Sequence, residues 1–180
     1  MMRLTVSGLP GSGTSTLVRL LVERLGLERV DGGTLFRAMA ADRGLTLAEF
    51  GLLCEQDDTI DRDLDDLLAA RLVEGDVILE SRLAGWLAHR SPEVDDALTV
   101  WVACDETERA RRCAQRDGGT VASNLAANRE RERTERDRYR SYYGIDIAEM
   151  SPYLLVLDST ELGPRELADR VVAALADAVA

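Results

Sequence analysis

The chain contains no lysine: all 22 of its basic residues are arginine. Set against 33 acidic residues, they leave a net charge of −11. That balance excludes a general nucleic-acid surface, because a phosphate backbone demands spread positive charge. Aromatic residues are scarce at 4%, so the 46% hydrophobic content points to a core of Leu, Val and Ala. The only histidine, His89, is expected on a surface turn, which leaves an acyl-transfer triad without a base. Cys54, Cys104 and Cys113 are odd in number and lack metal-ligand spacing, so they read as reduced thiols, mostly buried. No apolar run approaches membrane-spanning length, and Met1 to Val6 carries no signal-peptide pattern. A cytoplasmic protein with no membrane or nucleic-acid partner is expected. Its 180 residues suit one domain, expected to be a monomer.

What is present is organised around Gly8-Leu9-Pro10-Gly11-Ser12-Gly13-Thr14-Ser15. An apolar run, Leu4 to Val6, precedes it. Leu17, Val18, Leu20, Leu21 and Leu25 follow at helical spacing. Strand, glycine-rich turn and helix form the context of a phosphate-binding loop, in which backbone N–H groups and a helix N-terminus face the anion. Ser15 occupies the hydroxyl position that faces a nucleotide-bound Mg²⁺. The position that normally carries the phosphate-binding lysine is Thr14, which brings no positive charge.

Along the chain, the first helix spans Thr14 to Leu25 and stops at Gly26. A strand at Leu27 to Val30 leads to Asp31-Gly-Gly-Thr-Leu-Phe-Arg37. About 45 residues of helical pattern follow before the third strand, Val77 to Leu79. A plain crossover needs only about a dozen residues, so this excursion builds something further. Thr46 to Glu49 spells a capping box. Leu98 to Cys104 is the fourth strand, with Asp105 and Glu108 set as a second capping box. Gly118-Gly119 breaks the next helix, and an Arg/Glu-rich helical stretch runs from Val121 to Tyr143. Tyr153 to Leu157 is the fifth strand. Pro164 opens a last helix whose apolar face holds Leu167, Val171, Val172 and Leu175. Strands alternating with helices predict an α/β fold with a five-stranded parallel sheet.

Ligands in such sheets bind beyond the strand C-termini. Arg37 and Arg82 follow strand ends and suit a second anionic ligand, held bidentately. Arg109, Arg112 and Arg116 share one helix face; Arg131, Glu135 and Arg138 share another. Two basic faces joined at a glycine break fit a lid that closes over phosphates. They also fit a surface helix laced with ion pairs among Arg129, Arg131, Arg133, Glu130, Glu132 and Glu135. Trp86 and Trp101 read as packing residues, with the cleft wall as the alternative for Trp86.

Four blocks carry a family resemblance: Asp31-Gly-Gly-Thr-Leu-Phe-Arg37, Glu80-Ser-Arg-Leu-Ala-Gly-Trp86, Arg131-x3-Glu135-x2-Arg138-Tyr139 and Tyr143-Gly-Ile-Asp-Ile147. In this order they resemble the cytidylate kinases, in particular the compact archaeal type, over nearly the whole chain. The resemblance implies a P-loop kinase core (residues 1–31, 76–116 and 145–180), a helical NMP-binding insertion (32–75) and an arginine-rich helical lid (117–144). It implies phosphoryl transfer from ATP–Mg²⁺ to CMP or dCMP. Gly8, Gly11, Ser12, Gly13, Thr14, Ser15 and Thr16 would hold ATP, with Arg109 and Arg112 on the lid side. Asp31, Arg37, Arg82 and Glu135 would bind the acceptor, and Ser15 the metal.

Thr14 departs from the usual motif. With nine arginines between positions 109 and 138, a lid arginine is expected to supply the missing charge, the candidates being Arg131, Arg138 and Arg116. The alternatives are a small kinase for another acceptor (UMP, AMP or a non-nucleotide hydroxyl) and a nucleotide-binding regulator that has lost transfer.

Overall fold

The computed structural model describes residues 1–179. In chain order the elements are β1 (Arg3–Gly8), α1 (Thr14–Leu25), β2 (Glu28–Asp31), α2 (Gly32–Asp42), α3 (Leu47–Gln56) and α4 (Asp58–Glu74). Then follow β3 (Val77–Glu80), α5 (Ala84–Arg90), β4 (Leu98–Ala103), α6 (Glu106–Asp117), α7 (Val121–Tyr143), β5 (Leu155–Asp158) and α8 (Pro164–Val179). The five strands form one sheet in the order β2-β3-β1-β4-β5, every pairing parallel.

The central strand explains the layering. Leu4, Thr5, Val6 and Ser7 of β1 are all fully buried, as a strand covered on both faces requires. On one face, Leu17, Val18 and Leu21 of α1 meet Leu167, Ala168 and Val171 of α8 in the largest core cluster. Each such large aliphatic side chain contributes roughly 1.5–3 kcal/mol by leaving water. The opposite face is covered by Leu68 and Leu72 of α4 with Ala84 and Ala88 of α5, and by an aromatic cluster that includes Trp86, Trp101, Tyr139 and Tyr153. The two tryptophans are packing residues, as expected.

Helix α1 ends at Gly26 in the left-handed conformation, φ 68°, as read from sequence. Thr46 and Glu49 close the expected capping box on α3. At α6 the expected second box is only half made. Asp105 accepts from the Thr107 and Glu108 N–H groups, but the Glu108 carboxylate turns instead to Arg111 and Arg112. The fifth strand begins two residues later than expected. Tyr153 packs on Trp101 with ring centroids 5.2 Å apart, and the Leu154 N–H donates to the Thr99 hydroxyl at 3.0 Å. Side-chain partners thus replace the ladder at that end. Helix α5 was not foreseen, and His89 lies exposed on it rather than on a turn. Cys54 and Cys113 are buried, Cys104 half-buried, and all three are free thiols.

Candidate functional site

The strand ends level up on one edge. Val6 of β1 and Asp31 of β2 both lie opposite Glu80 of β3. Beyond them opens a cleft of about 800 Å³ between the glycine loop, α2, α4 and α7.

The loop folds as its glycines allow. Gly11 has φ 82°, and a Cβ there would lie 2.5 Å from the Arg109 carbonyl oxygen, so no side chain fits. The N-cap of α1 is Gly13, which offers no side-chain acceptor, and the first turn of the helix is left uncapped by the protein. An uncapped helix N-terminus entered from a glycine loop fits a phosphate group. Gly8, Gly11, Thr14 and Ser15 line the cleft.

Other expected nucleotide residues lie behind or beside the loop. Ser12 is 1% exposed. Thr16 lies outside the cleft, on a separate groove between α1 and the start of α8. Arg109 is 5% exposed; it donates to the Cys104 and Pro10 carbonyls and pairs with Glu132. Arg112 donates to the Ser159 hydroxyl and carbonyl at 3.0 and 2.7 Å and pairs with Glu108. Arg109 and Arg112 therefore brace the loop from outside the cleft, because their helix face turns towards the backbone of residues 10–12 and 159.

Across from the loop, Glu135 of α7 bridges two guanidinium groups. Arg82 donates through Nε to one carboxylate oxygen at 2.6 Å, and Arg131 through Nε to the other at 2.7 Å. Burial pushes the Glu135 carboxyl up, but the two arginines overcome it and hold it down at about 2. Only Nε of each arginine is engaged, so among the described residues their terminal nitrogens have no protein partner. Two cations fixed side by side with open donors suit a phosphate dianion or a transferring phosphoryl group.

The remaining arginines differ in their surroundings. Arg138 donates to Asp61 at 2.9 Å, and this pair is buried at 5% and 6% exposure. Arg116 stands exposed at the rim and pairs with Asp117. Arg37 is half exposed, donates to the Thr34 hydroxyl and lies 3.8 Å from Asp31. Asp31 caps α2 by accepting from the Thr34 N–H and also pairs with Arg29. The ion pairs expected of the arginine-rich helix are present. Its outer face is laced with pairs such as Arg133–Glu130 and Arg129–Glu106, while its inner face presents Arg131 and Glu135 to the cleft.

Further cleft residues had no role assigned from sequence. Glu80 accepts from the Thr14 and Ser15 hydroxyls at 2.9 and 2.6 Å. Arg29 donates to the other Glu80 oxygen at 2.6 Å. Asp61 and Asp65 lie one helical turn apart on α4 beside the apolar walls formed by Phe36, Leu64 and Leu68. Glu80 opens one of the four resemblance blocks, but Arg29 and the two aspartates had no local signal.

The AAA domain family matches residues 4–136. A cytidylate kinase of Halobacterium salinarum is 41% identical over 175 residues, covering 97% of this chain and 89% of that protein. One of Methanosarcina mazei is 45% identical over 161 residues, covering 88% and 87%. Among solved structures, a gluconokinase from Sinorhizobium meliloti superposes with a TM-score of 0.63 at 18% identity, covering 98% of this chain and 92% of that one. A shikimate kinase from Acinetobacter baumannii superposes with a TM-score of 0.60 at 14% identity, covering 98% and 94%. These two bear on the fold alone.

Proposed function

The chain belongs to the cytidylate kinase family, an α/β P-loop kinase fold with a phosphotransferase activity, and we propose that it moves the γ-phosphoryl group of ATP to CMP or dCMP. The observation that carries this is the Arg82–Glu135–Arg131 bracket facing the glycine loop across one cleft. Two phosphate sites that face each other are what transfer between two nucleotides requires.

In this reading a phosphate oxygen of the acceptor attacks the γ-phosphorus of ATP. The bond from that phosphorus to the β,γ-bridging oxygen breaks, and ADP departs with the electron pair. No side chain becomes a nucleophile. The loop and the N-terminus of α1 bind the donor phosphates, and the open nitrogens of Arg82 and Arg131 hold the acceptor phosphate and the group in transit. Glu135 fixes both arginines in place before substrate arrives.

A magnesium ion fits the donor set: the Ser15 hydroxyl and the Glu80 carboxylate are hard oxygen ligands 2.6 Å apart at the foot of the loop. They would hold it there directly or through water. When bound, it neutralises charge on the donor phosphates.

The acceptor base is assigned to the end of the cleft formed by α2 and α4. Phe36 offers a flat apolar face with Leu64 beside it, and Asp61 and Asp65 offer acceptors at its edge. Cytosine presents an amino donor where uracil presents a carbonyl, so an ionised carboxylate there favours CMP over UMP. Residues 32–75 form the acceptor-binding region in this reading, and 117–144 the lid. Among the described residues no helix is long and apolar enough to cross a membrane.

The test is ADP release with Mg–ATP and each of CMP, dCMP, UMP and AMP. Turnover with CMP or dCMP well above UMP and AMP is the expected result. Turnover with only AMP or UMP, or ATP binding without turnover on any acceptor, would sink the assignment.

A further inference from the structure

Thr14 stands where a loop lysine would stand, and an arginine lies on the far side of the carboxylate it contacts. The Thr14 hydroxyl donates to Glu80 Oε1 at 2.9 Å. On the other oxygen of the same carboxylate sit two nitrogens of Arg29, Nη2 at 2.6 Å and Nε at 3.1 Å. Glu80 is 6% exposed, so its charge is poorly screened by water. Arg29 reaches it from the neighbouring strand. Asp31 pairs in register with Glu80, and Arg29, two residues earlier on β2, shares the face of Asp31 that lies beneath the first turn of α1. Arg29 also pairs with Asp31 at 2.9 Å, its side chain is 34% exposed, and it lines the cleft. Its Nη1 has no protein partner among the described residues.

We propose that Arg29 takes over the electrostatic duty of the missing loop lysine, neutralising Glu80 from the sheet side so that the triphosphate can settle on the loop. A bare buried carboxylate within hydrogen-bond reach of Thr14 and Ser15 would repel the donor phosphates. A lysine at position 14 would neutralise it from the loop side. Arg29 does so from β2, with two guanidinium nitrogens on one Glu80 oxygen. Arg29 is a positioning residue here: it acts through Glu80, and its open Nη1 adds a donor on the cleft wall. A lid arginine acts on the group in transit, whereas Arg29 acts on the resting site, so the two are separable by experiment.

The inference rests on the reading of the loop as an ATP phosphate site, and the test separates the two. The full chain is compared with Arg29→Met, Arg29→Gln, Arg29→Lys, Thr14→Lys and the double variant Arg29→Met/Thr14→Lys. Calorimetry gives the Kd for ATP without acceptor, and steady-state ADP release with CMP gives kcat and KM. Arg29→Met should weaken ATP about tenfold or more, the scale of a lost charge-assisted contact. Arg29→Gln, which keeps hydrogen-bond donors but not the charge, should fall with it, and this arm stands alone if Arg29→Met fails to fold. Arg29→Lys should retain most of the affinity. Thr14→Lys should restore the double variant to within a few-fold of the unmodified chain, while giving no gain by itself. A strand-knitting ion pair with no electrostatic role at the loop would show no such rescue. An Arg29→Gln affinity within twofold of the unmodified chain would overturn the inference, as would a folded double variant no better than Arg29→Met. If the unmodified chain does not bind ATP at all, the ATP-site reading itself fails, a result distinct from either.

Discussion

Arg138 of α7 donates to Asp61 of α4 at 2.9 Å, and neither side chain is more than 6% exposed. This buried pair ties the arginine-rich helix to the insertion between β2 and β3. Burial pushes the Asp61 carboxyl up, while Arg138 draws it back. Removing one member leaves the other as an uncompensated buried charge. Asp61→Ala should therefore lower stability by about 3 kcal/mol, read as a fall of roughly 10 °C in melting temperature. The apolar pair Asp61→Leu/Arg138→Met should recover much of that loss. If turnover with CMP returns as well, Arg138 is structural alone. If the recovered fold stays slow, Asp61 or Arg138 acts on substrate.

The bracket around Glu135 makes a sharper kinetic prediction. Glu135→Gln removes the charge that holds Arg82 and Arg131 side by side, with little change in volume. Expected is a loss of kcat/KM for CMP on the order of a hundredfold, shared between kcat and KM, because the arginines meet both acceptor and group in transit. Arg131→Ala should slow turnover to a similar degree. If Arg131→Ala and Arg138→Ala each stayed within a few-fold of the unmodified chain, charge compensation from the lid would be wrong. With the Glu135 carboxyl held down at about 2, its titration adds no slope to the pH profile near neutrality.

These pairs also show what the sequence discloses and what it withholds. The loop was legible because Gly8, Gly11, Gly13 and Ser15 lie within eight residues and their spacing is the signal. Gly26 as a helix stop and the Thr46–Glu49 box were local in the same sense. Helix α5 escaped because it has only seven residues, with Gly85 inside it. The face shared by Arg109, Arg112 and Arg116 was correct as geometry, yet helical spacing does not say what a face meets. Arg109 meets the Pro10 carbonyl 99 positions away. Arg29 and Glu80 lie 51 positions apart and become neighbours only because β2 pairs with β3. Arg138 and Asp61 are 77 apart, joined by two helices whose relative placement no periodicity encodes.

Asp65 gives a pH dependence with a definite sign. Burial, with Asp61 nearby adding to it, pushes its carboxyl up to about 7 from an ordinary value of 3.8. Between those values the folded chain holds a proton that the unfolded chain has lost. The stabilising contribution is therefore full below about pH 4, declines as pH rises, and is gone above about 7. Asp65→Asn, which cannot titrate, should flatten the melting-temperature profile between pH 5 and 7 and raise the melting temperature most at its alkaline end. The same titration bears on the acceptor. An ionised Asp65 accepts from the cytosine amino group, so preference for CMP over UMP should grow as pH passes through about 7 in the unmodified chain. Asp65→Asn should remove that growth. A CMP to UMP ratio equally pH-dependent in both would exclude Asp65 as a reader of the base.

Gly11 supplies a test of the loop that does not depend on any charge. Its φ of 82° is strained for other residues, and a Cβ would press at 2.5 Å on the Arg109 carbonyl and at 3.0 Å on the Cys113 sulfur. The oxygen is backbone in α6 and cannot swing aside. Either the loop lifts from α6 or α6 moves away, and Arg109, which donates to Pro10, loses its geometry in both cases. The sheet and the aliphatic clusters on its two faces lie elsewhere, so Gly11→Ala should cost only about 1–3 kcal/mol in stability. The expected outcome is a chain that still folds, with near-unchanged circular dichroism, but binds ATP at least tenfold more weakly. Intact ATP affinity in a folded Gly11→Ala variant would mean that the loop's shape against α6 is not what binds the phosphates, and the donor site would have to be sought elsewhere in the cleft.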